Sequence, residues 1–239
     1  MGFHRGPKIV TDGLIIALDA GSKRSYPGTG TTWHDLTGNN YSASLNNGAV
    51  FDSATEGISF DGTNDHVTFV NDETIRYTPT DSFTLSAMFK LVTIQEWEAN
   101  QYDTNTTLFG KGSTSGAVGL GLRRTTAGQL SIYAGSRAVS QITESYNIEA
   151  NRIYSTTFTY TPTLQKLYVN GELQSSSDTS GGVGGSFDNT GWRIFYPGAV
   201  PGGNSKYGEG TVFLARLYSR ELTADEVLQN YNAQKSRFI

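Results

Sequence analysis

Cysteine is absent from the 239 residues, so no disulfide framework, thiolate nucleophile or thiolate metal site is available. Charge is scarce: Asp, Glu, Lys and Arg make up 17% of the chain, against roughly 25% in ordinary soluble domains. The 18 basic and 22 acidic residues leave a formal net charge of −4, which excludes a mainly electrostatic nucleic-acid binder. Long hydrophobic runs are missing too. The longest, LIIAL at 14–18, is far too short to span a bilayer. The opening GFHRGPK at 2–8 lacks the apolar core and cleavage site of a signal peptide, so the expectation is synthesis without a leader.

What is present favours strands. Hydrophobic residues are only 36%, yet aromatics reach 12%, and Gly, Ser, Thr and Asn together fill about 40% of the chain. Aromatic and β-branched side chains suit a pleated, half-buried surface, and Gly, Asn and Ser suit turns. A helical bundle is excluded, as is disorder, which needs few aromatics and high net charge. Strand signals recur at 14–18, 58–60, 66–70, 107–109, 119–122, 130–133, 154–160, 166–169, 192–195 and 212–218. The segment 83–91 alternates strictly, with Phe83, Leu85, Ala87, Phe89 and Leu91 on one face. Asp61-Gly62 turn chemistry predicts a hairpin between 58–60 and 66–70. The polar tract 175–185 reads as a surface loop. One helix is readable over 224–234, with Thr223 and Glu226 as a capping box. About ten to twelve strands with one short C-terminal helix predict an all-β, two-sheet antiparallel sandwich. Residues 9–239 form a single domain behind an extended arm at 1–8.

The order of motifs resembles a known family. FDGTNDHV at 60–67 is similar to the FDGxxDyV hairpin of the laminin G-like, concanavalin A-like lectin/glucanase jelly rolls. Four further segments agree in order: DSFTLSAMF at 81–89, LFGKG at 108–112, LYVNGEL at 167–173 and ARLYSRELT at 215–223. The opening segments 6–14, 18–21 and 26–36 resemble a subgroup found in virion proteins of tailed bacteriophages. The resemblance implies a jelly-roll sandwich and leaves function open, because such folds host adhesion, sugar binding and glycoside hydrolysis.

The Glu-x-Asp-x-(x)-Glu run of the hydrolytic members, which would bring two carboxyl groups to one strand face, does not occur here. The three histidines, His4, His34 and His66, lack metal-ligand spacing, and the glycine pairs lack the third glycine of a dinucleotide fingerprint. The expectation is therefore a non-enzymatic protein with no catalytic residue: a virion decoration or tail-associated protein, made in the host cytoplasm. Its expected partners are other virion proteins, further copies of itself and surface glycans. The alternative is a carbohydrate-binding or adhesion module. Trp97, Tyr102 and Asp103 in one insertion, and Tyr196, Asn204 and Tyr207 in another, are the candidate glycan contacts, since sugars are held by aromatic faces with a few polar groups. Trp33 and Trp192 read as core. No cofactor is expected beyond a structural calcium that the resemblance suggests at Asp61 and Asp65, where the plainer reading is a turn. Phe3, Arg5, Phe238 and Ile239 near the ends are candidates for assembly contacts, because apolar groups gain only when buried.

Overall fold

The computed structural model describes residues 7–69, 75–94, 104–111, 118–124, 130–136, 140–179, 191–197 and 207–238. The early strands are β1 (Leu14–Asp19), β2 (Thr32–Trp33), β3 (Ala43–Asn46), β4 (Val50–Asp52), β5 (Gly57–Asp61) and β6 (His66–Phe69). The middle of the chain forms β7 (Phe83–Ile94), β8 (Thr104–Lys111), β9 (Val118–Arg124), β10 (Leu130–Ser136) and β11 (Ser140–Ile148). Then come β12 (Ile153–Tyr160), β13 (Leu164–Val169), β14 (Glu172–Asp178), β15 (Trp192–Pro197) and β16 (Gly208–Tyr218). Two helices close the chain, α1 (Ala224–Asn232) and α2 (Lys235–Phe238).

The strands make two antiparallel sheets, the expected jelly-roll sandwich. The first runs β14-β13-β12-β7-β16-β5-β4. β1 pairs with the second half of β16, on the edge whose first half takes β5. The second runs β11-β10-β9-β8-β15-β6-β3-β2. Alternation in β7 sends Phe83, Leu85, Ala87, Phe89 and Leu91 into the core between the sheets. Trp33 and Trp192, both fully buried, join them there.

The expected hairpin at 58–70 does not form. β5 pairs with β4 and β16 in the first sheet, whereas β6 pairs with β3 and β15 in the second. Turn chemistry specifies only that the chain reverses. Partners are chosen by packing, and Phe60 and Val67 face the shared core from opposite sheets. The tract read as a loop from 175 is strand as far as Asp178, because an edge strand needs backbone pairing on one side only. Its continuation over 180–190 lies outside the described residues.

The first sheet is buried on its outer face as well. α1 begins at a capping box: Thr223 Oγ1 accepts the Glu226 N–H at 3.3 Å, and Glu226 Oε2 accepts the Thr223 N–H at 2.9 Å. Arg220 clamps the same carboxylate at 2.6 and 2.8 Å. Val227 then packs with Val10, Tyr168, Tyr218 and Leu222 over the sheet. Asn230 Oδ1 accepts the Val10 N–H at 2.8 Å, and Gln229 Nε2 donates to the Lys8 carbonyl at 2.7 Å, so the helix ties down residues 8–10. Because this roof covers them, residues 83–89 of β7 and 210–218 of β16 are buried without alternation.

Candidate functional site

The second sheet has an outer face of different character. Along β6, Val67 and Phe69 face the core, so His66 and Thr68 face outward. On β15, Ile194 faces the core and Arg193 faces outward, and simple alternation would next expose Phe195. Instead Phe195 takes a left-handed backbone, φ 54°, and buries its ring against Phe60 with centroids 4.6 Å apart. A phenylalanine in that conformation carries backbone strain. Two glycines accommodate it. A β-carbon at Gly208 would meet the Phe195 ring at 3.2 Å, and one at Gly210 would meet the same ring at 3.2 Å.

Because Phe195 turns inward, Tyr196 emerges on the side of Arg193. Its ring lies edge-on to His66, centroids 5.1 Å apart at 79°, and to Tyr207, 6.2 Å apart at 72°. The Arg193 guanidinium sits over the Tyr196 ring at 4.1 Å, a cation–π contact. His66 Nδ1 lies 3.0 Å from the Asn64 carbonyl, an acceptor only, so that nitrogen donates and Nε2 of the neutral ring is left as an acceptor. Asn46, paired with His66 across the strands, donates to Thr68 Oγ1 at 3.1 Å. Burial raises the Tyr207 pKa, with Tyr196 adding to it, so its hydroxyl stays a neutral donor and acceptor. Beside Arg193 the neighbouring strands contribute glycine in register: Gly110 pairs with Arg193, Gly119 with Gly110, and Gly135 with Gly119. The row leaves backbone rather than side chains, and β8 and β9 require it, since a β-carbon at Gly119 would lie 2.6 Å from the Gly110 Cα.

Of the sequence-derived glycan candidates, Tyr196 and Tyr207 are brought together here. Trp97, Tyr102, Asp103 and Asn204 lie outside the described residues. His66 and Arg193 were missed. Each stands one position from a core residue on a strand already recognised, which was the available signal.

Asp61 and Asp65 act locally. Asp61 Oδ1 accepts the Thr63 N–H at 2.8 Å, and Asp65 Oδ2 accepts the Asp61 N–H at 3.0 Å, so the pair shapes the crossing between sheets. Burial raises the Asp65 pKa, and its Oδ1 has no partner. Calcium needs about six to eight oxygen ligands. Among the described residues no group of three or more acidic, histidine or cysteine side chains gathers there. Phe238 packs on Phe213 of its own sandwich, centroids 4.9 Å apart, which covers its ring within the chain. Phe3, Arg5 and Ile239 lie outside the described residues.

Comparison with known proteins agrees with the fold. The profile described as the concanavalin A-like lectin/glucanases superfamily matches residues 61–228. It extends to the superfamily, not to the bacteriophage subgroup that the opening segments resemble. No curated protein matches the chain. Among solved structures, Trypanosoma rangeli sialidase in complex with a difluoro-KDN is similar at TM-score 0.65 and 20% identity, over 96% of this chain and 34% of that one. The binding domain of Paraclostridial Mosquitocidal Protein 1 is similar at TM-score 0.67 and 17% identity, over 92% of this chain and 52% of that one. The botulinum neurotoxin serotype D binding domain follows at 0.61 and 16%, over 93% of this chain and 52% of that one. The chain thus spans about a third of the sialidase and half of the toxin domains. The expectation of a non-enzymatic protein is corrected by the sialidases, polypeptides named for an enzymatic activity that carry this fold across nearly the whole present chain. At 20% identity that likeness is one of fold.

Proposed function

We propose, for a chain that belongs to the concanavalin A-like lectin/glucanases superfamily, that the outer face of its second sheet binds a glycan at Tyr196 and Tyr207. One observation carries the reading: the strained Phe195 turns Tyr196 out beside Tyr207, His66 and Arg193. A sugar ring presents an apolar C–H face that stacks on tyrosine and a rim of hydroxyls that seeks donors and acceptors. The tyrosines supply the first contact. The free face of the Arg193 guanidinium, His66 Nε2 and the tyrosine hydroxyls supply the second. Glycan-array screening of the intact protein, followed by titration calorimetry, tests this. Tyr196→Ala and Tyr207→Ala are each expected to weaken the selected glycan at least about tenfold, which is 1.4 kcal/mol. Retained affinity in both variants, or no glycan held by the intact protein, overturns it.

A second reading is supported by the resemblance of residues 6–36 to tailed-phage virion proteins: the domain decorates a capsid or tail, docked through its ends on shell proteins or on further copies. Removing residues 2–8, and separately 236–239, should then abolish co-sedimentation with particles. Unchanged co-sedimentation in both truncations counts against it.

A further inference from the structure

The roofed side of the sandwich holds a half-open cavity of about 490 Å³ between β1, β16 and the C-terminal helices, within the usual size range of small-molecule sites. Ala215 and Leu217 of β16 belong to the core between the sheets, so Arg216 between them is directed out beneath the helices and lines this cavity. It is 4% exposed. Its Nε is enclosed without a hydrogen-bond partner, and among the described residues its guanidinium forms no ion pair. A buried cation without a partner is costly, and arginine does not shed its proton to escape that cost.

Nearby acceptors are committed elsewhere. Asp19 receives Arg237 Nη1 on Oδ2 at 2.7 Å and Arg237 Nη2 on Oδ1 at 2.9 Å. The Tyr218 hydroxyl donates to the Val10 carbonyl at 3.1 Å and accepts from Asn230 Nδ2 at 3.1 Å. Thr37 Oγ1 accepts the Asn39 N–H at 3.2 Å and donates to Asp35 Oδ2 at 2.6 Å. Of the charged side chains lining the cavity, two arginines face one aspartate, an excess of one positive charge. Burial lowers the Arg216 pKa, and nearby Tyr218 and Asp19 only partly counter it.

We infer that this cavity binds a small organic monocarboxylate, its two oxygens on the guanidinium fork of Arg216 and its apolar body against Ile9, Leu14 and Leu36. The planar fork matches a carboxylate in a bidentate way. One excess charge is balanced by one anion. A phosphate dianion would bring no apolar body to cover the aliphatic side chains Ile9, Leu14 and Leu36. The site uses residues on the opposite face from the tyrosine cluster, so it stands or falls separately from glycan binding.

Thermal denaturation of the full chain with sodium benzoate as probe, at ionic strength matched with sodium chloride, reads the site directly, because a ligand bound only to the folded state raises Tm. A saturable rise is expected for the intact protein, absent in Arg216→Met, with inorganic phosphate giving no saturable rise. Ala233→Leu, which fills the cavity from the helix side and keeps Arg216, is expected to weaken the benzoate response at least tenfold. In the intact protein, benzoate should also shift one arginine Nε–H resonance in a ¹⁵N spectrum, a reading independent of any variant's folding. No saturable benzoate response, an equal response in Arg216→Met, or an equal response to phosphate overturns the assignment.

Discussion

The two outer faces of this sandwich are built from the same kind of strand and finished differently. The first sheet is roofed by α1 and α2, so β16 is buried from 210 to 218 without alternation. The second shows the alternating pattern of a half-exposed sheet in β6, where His66 and Thr68 look outward and Val67 and Phe69 inward. The residues that follow β16, with helices at 224–232 and 235–238, make that difference, converting one surface into interior. Both faces hold an arginine one step from core residues. Arg193 on the open side lies over a tyrosine ring, whereas Arg216 on the roofed side is enclosed. A polar side chain at the same strand phase thus becomes a surface contact or a buried charge, depending on what lands above it.

The sharpest test of the contrast is truncation on each face. Leu222→Ala, fully buried under α1, is expected to cost about 2–5 kcal/mol in urea denaturation, because the cavity left behind collapses only partly. Tyr196→Ala on the open face should cost well under that while losing glycan affinity. Equal losses would erase the distinction. Next in size is Gly210→Ala: its β-carbon would strike the Lys90 carbonyl and crowd the Phe195 ring. About 1–3 kcal/mol of destabilisation is expected, together with weaker glycan binding, since Tyr196 is displayed only when Phe195 turns in. Thr223→Ala removes the cap of α1 and should cost about 1 kcal/mol by thermal melting.

Acid titration separates the regions by sign. Glu226 has its pKa lowered to about 2, chiefly by Arg220 and then by the Thr223 backbone. A carboxyl held below its unfolded value contributes stability that is full above about 4.5 and fades as pH falls toward 2. Glu226→Gln should flatten the stability profile in that window. Asp65, whose pKa is raised by burial, acts oppositely: its contribution is full below the unfolded value and is lost as pH rises through the folded one. Asp65→Asn should therefore remove a decline, not a gain, on the neutral side. The smallest effect concerns chelation. Added EDTA is expected to leave Tm unchanged, because Asp61 Oδ1 and Asp65 Oδ2 each accept a backbone N–H and no third acidic or histidine side chain joins them among the described residues; a fall in Tm would support the calcium reading.

Much of this was legible beforehand for local reasons. The β7 alternation and the Thr223–Glu226 capping box each depend on side chains a few residues apart, and Trp33 and Trp192 were readable as core from their size and their places near strand ends. The pairing of β5 and β6 with opposite sheets was not legible, because Asp61-Gly62 reports a reversal and nothing about the strand that waits beyond it. β14 escaped notice because serine-rich sequence has little strand preference, and the β13 edge supplied what the side chains lacked. At the glycan site, Tyr196 and Tyr207 were readable as aromatic insertions, but His66 and Arg193 were not, since they become neighbours only when β15 and β6 pair.

By itself, then, the sequence determined the strand period, the turns and the one capped helix, since a two-residue alternation and a cap are satisfied within a few residues of chain. Which strands became neighbours, which way Phe195 turned and which arginine was buried were decided by the tertiary structure. Backbone hydrogen bonds accept any partner strand, and only the packing of two sheets and a helical roof around one core selects among them.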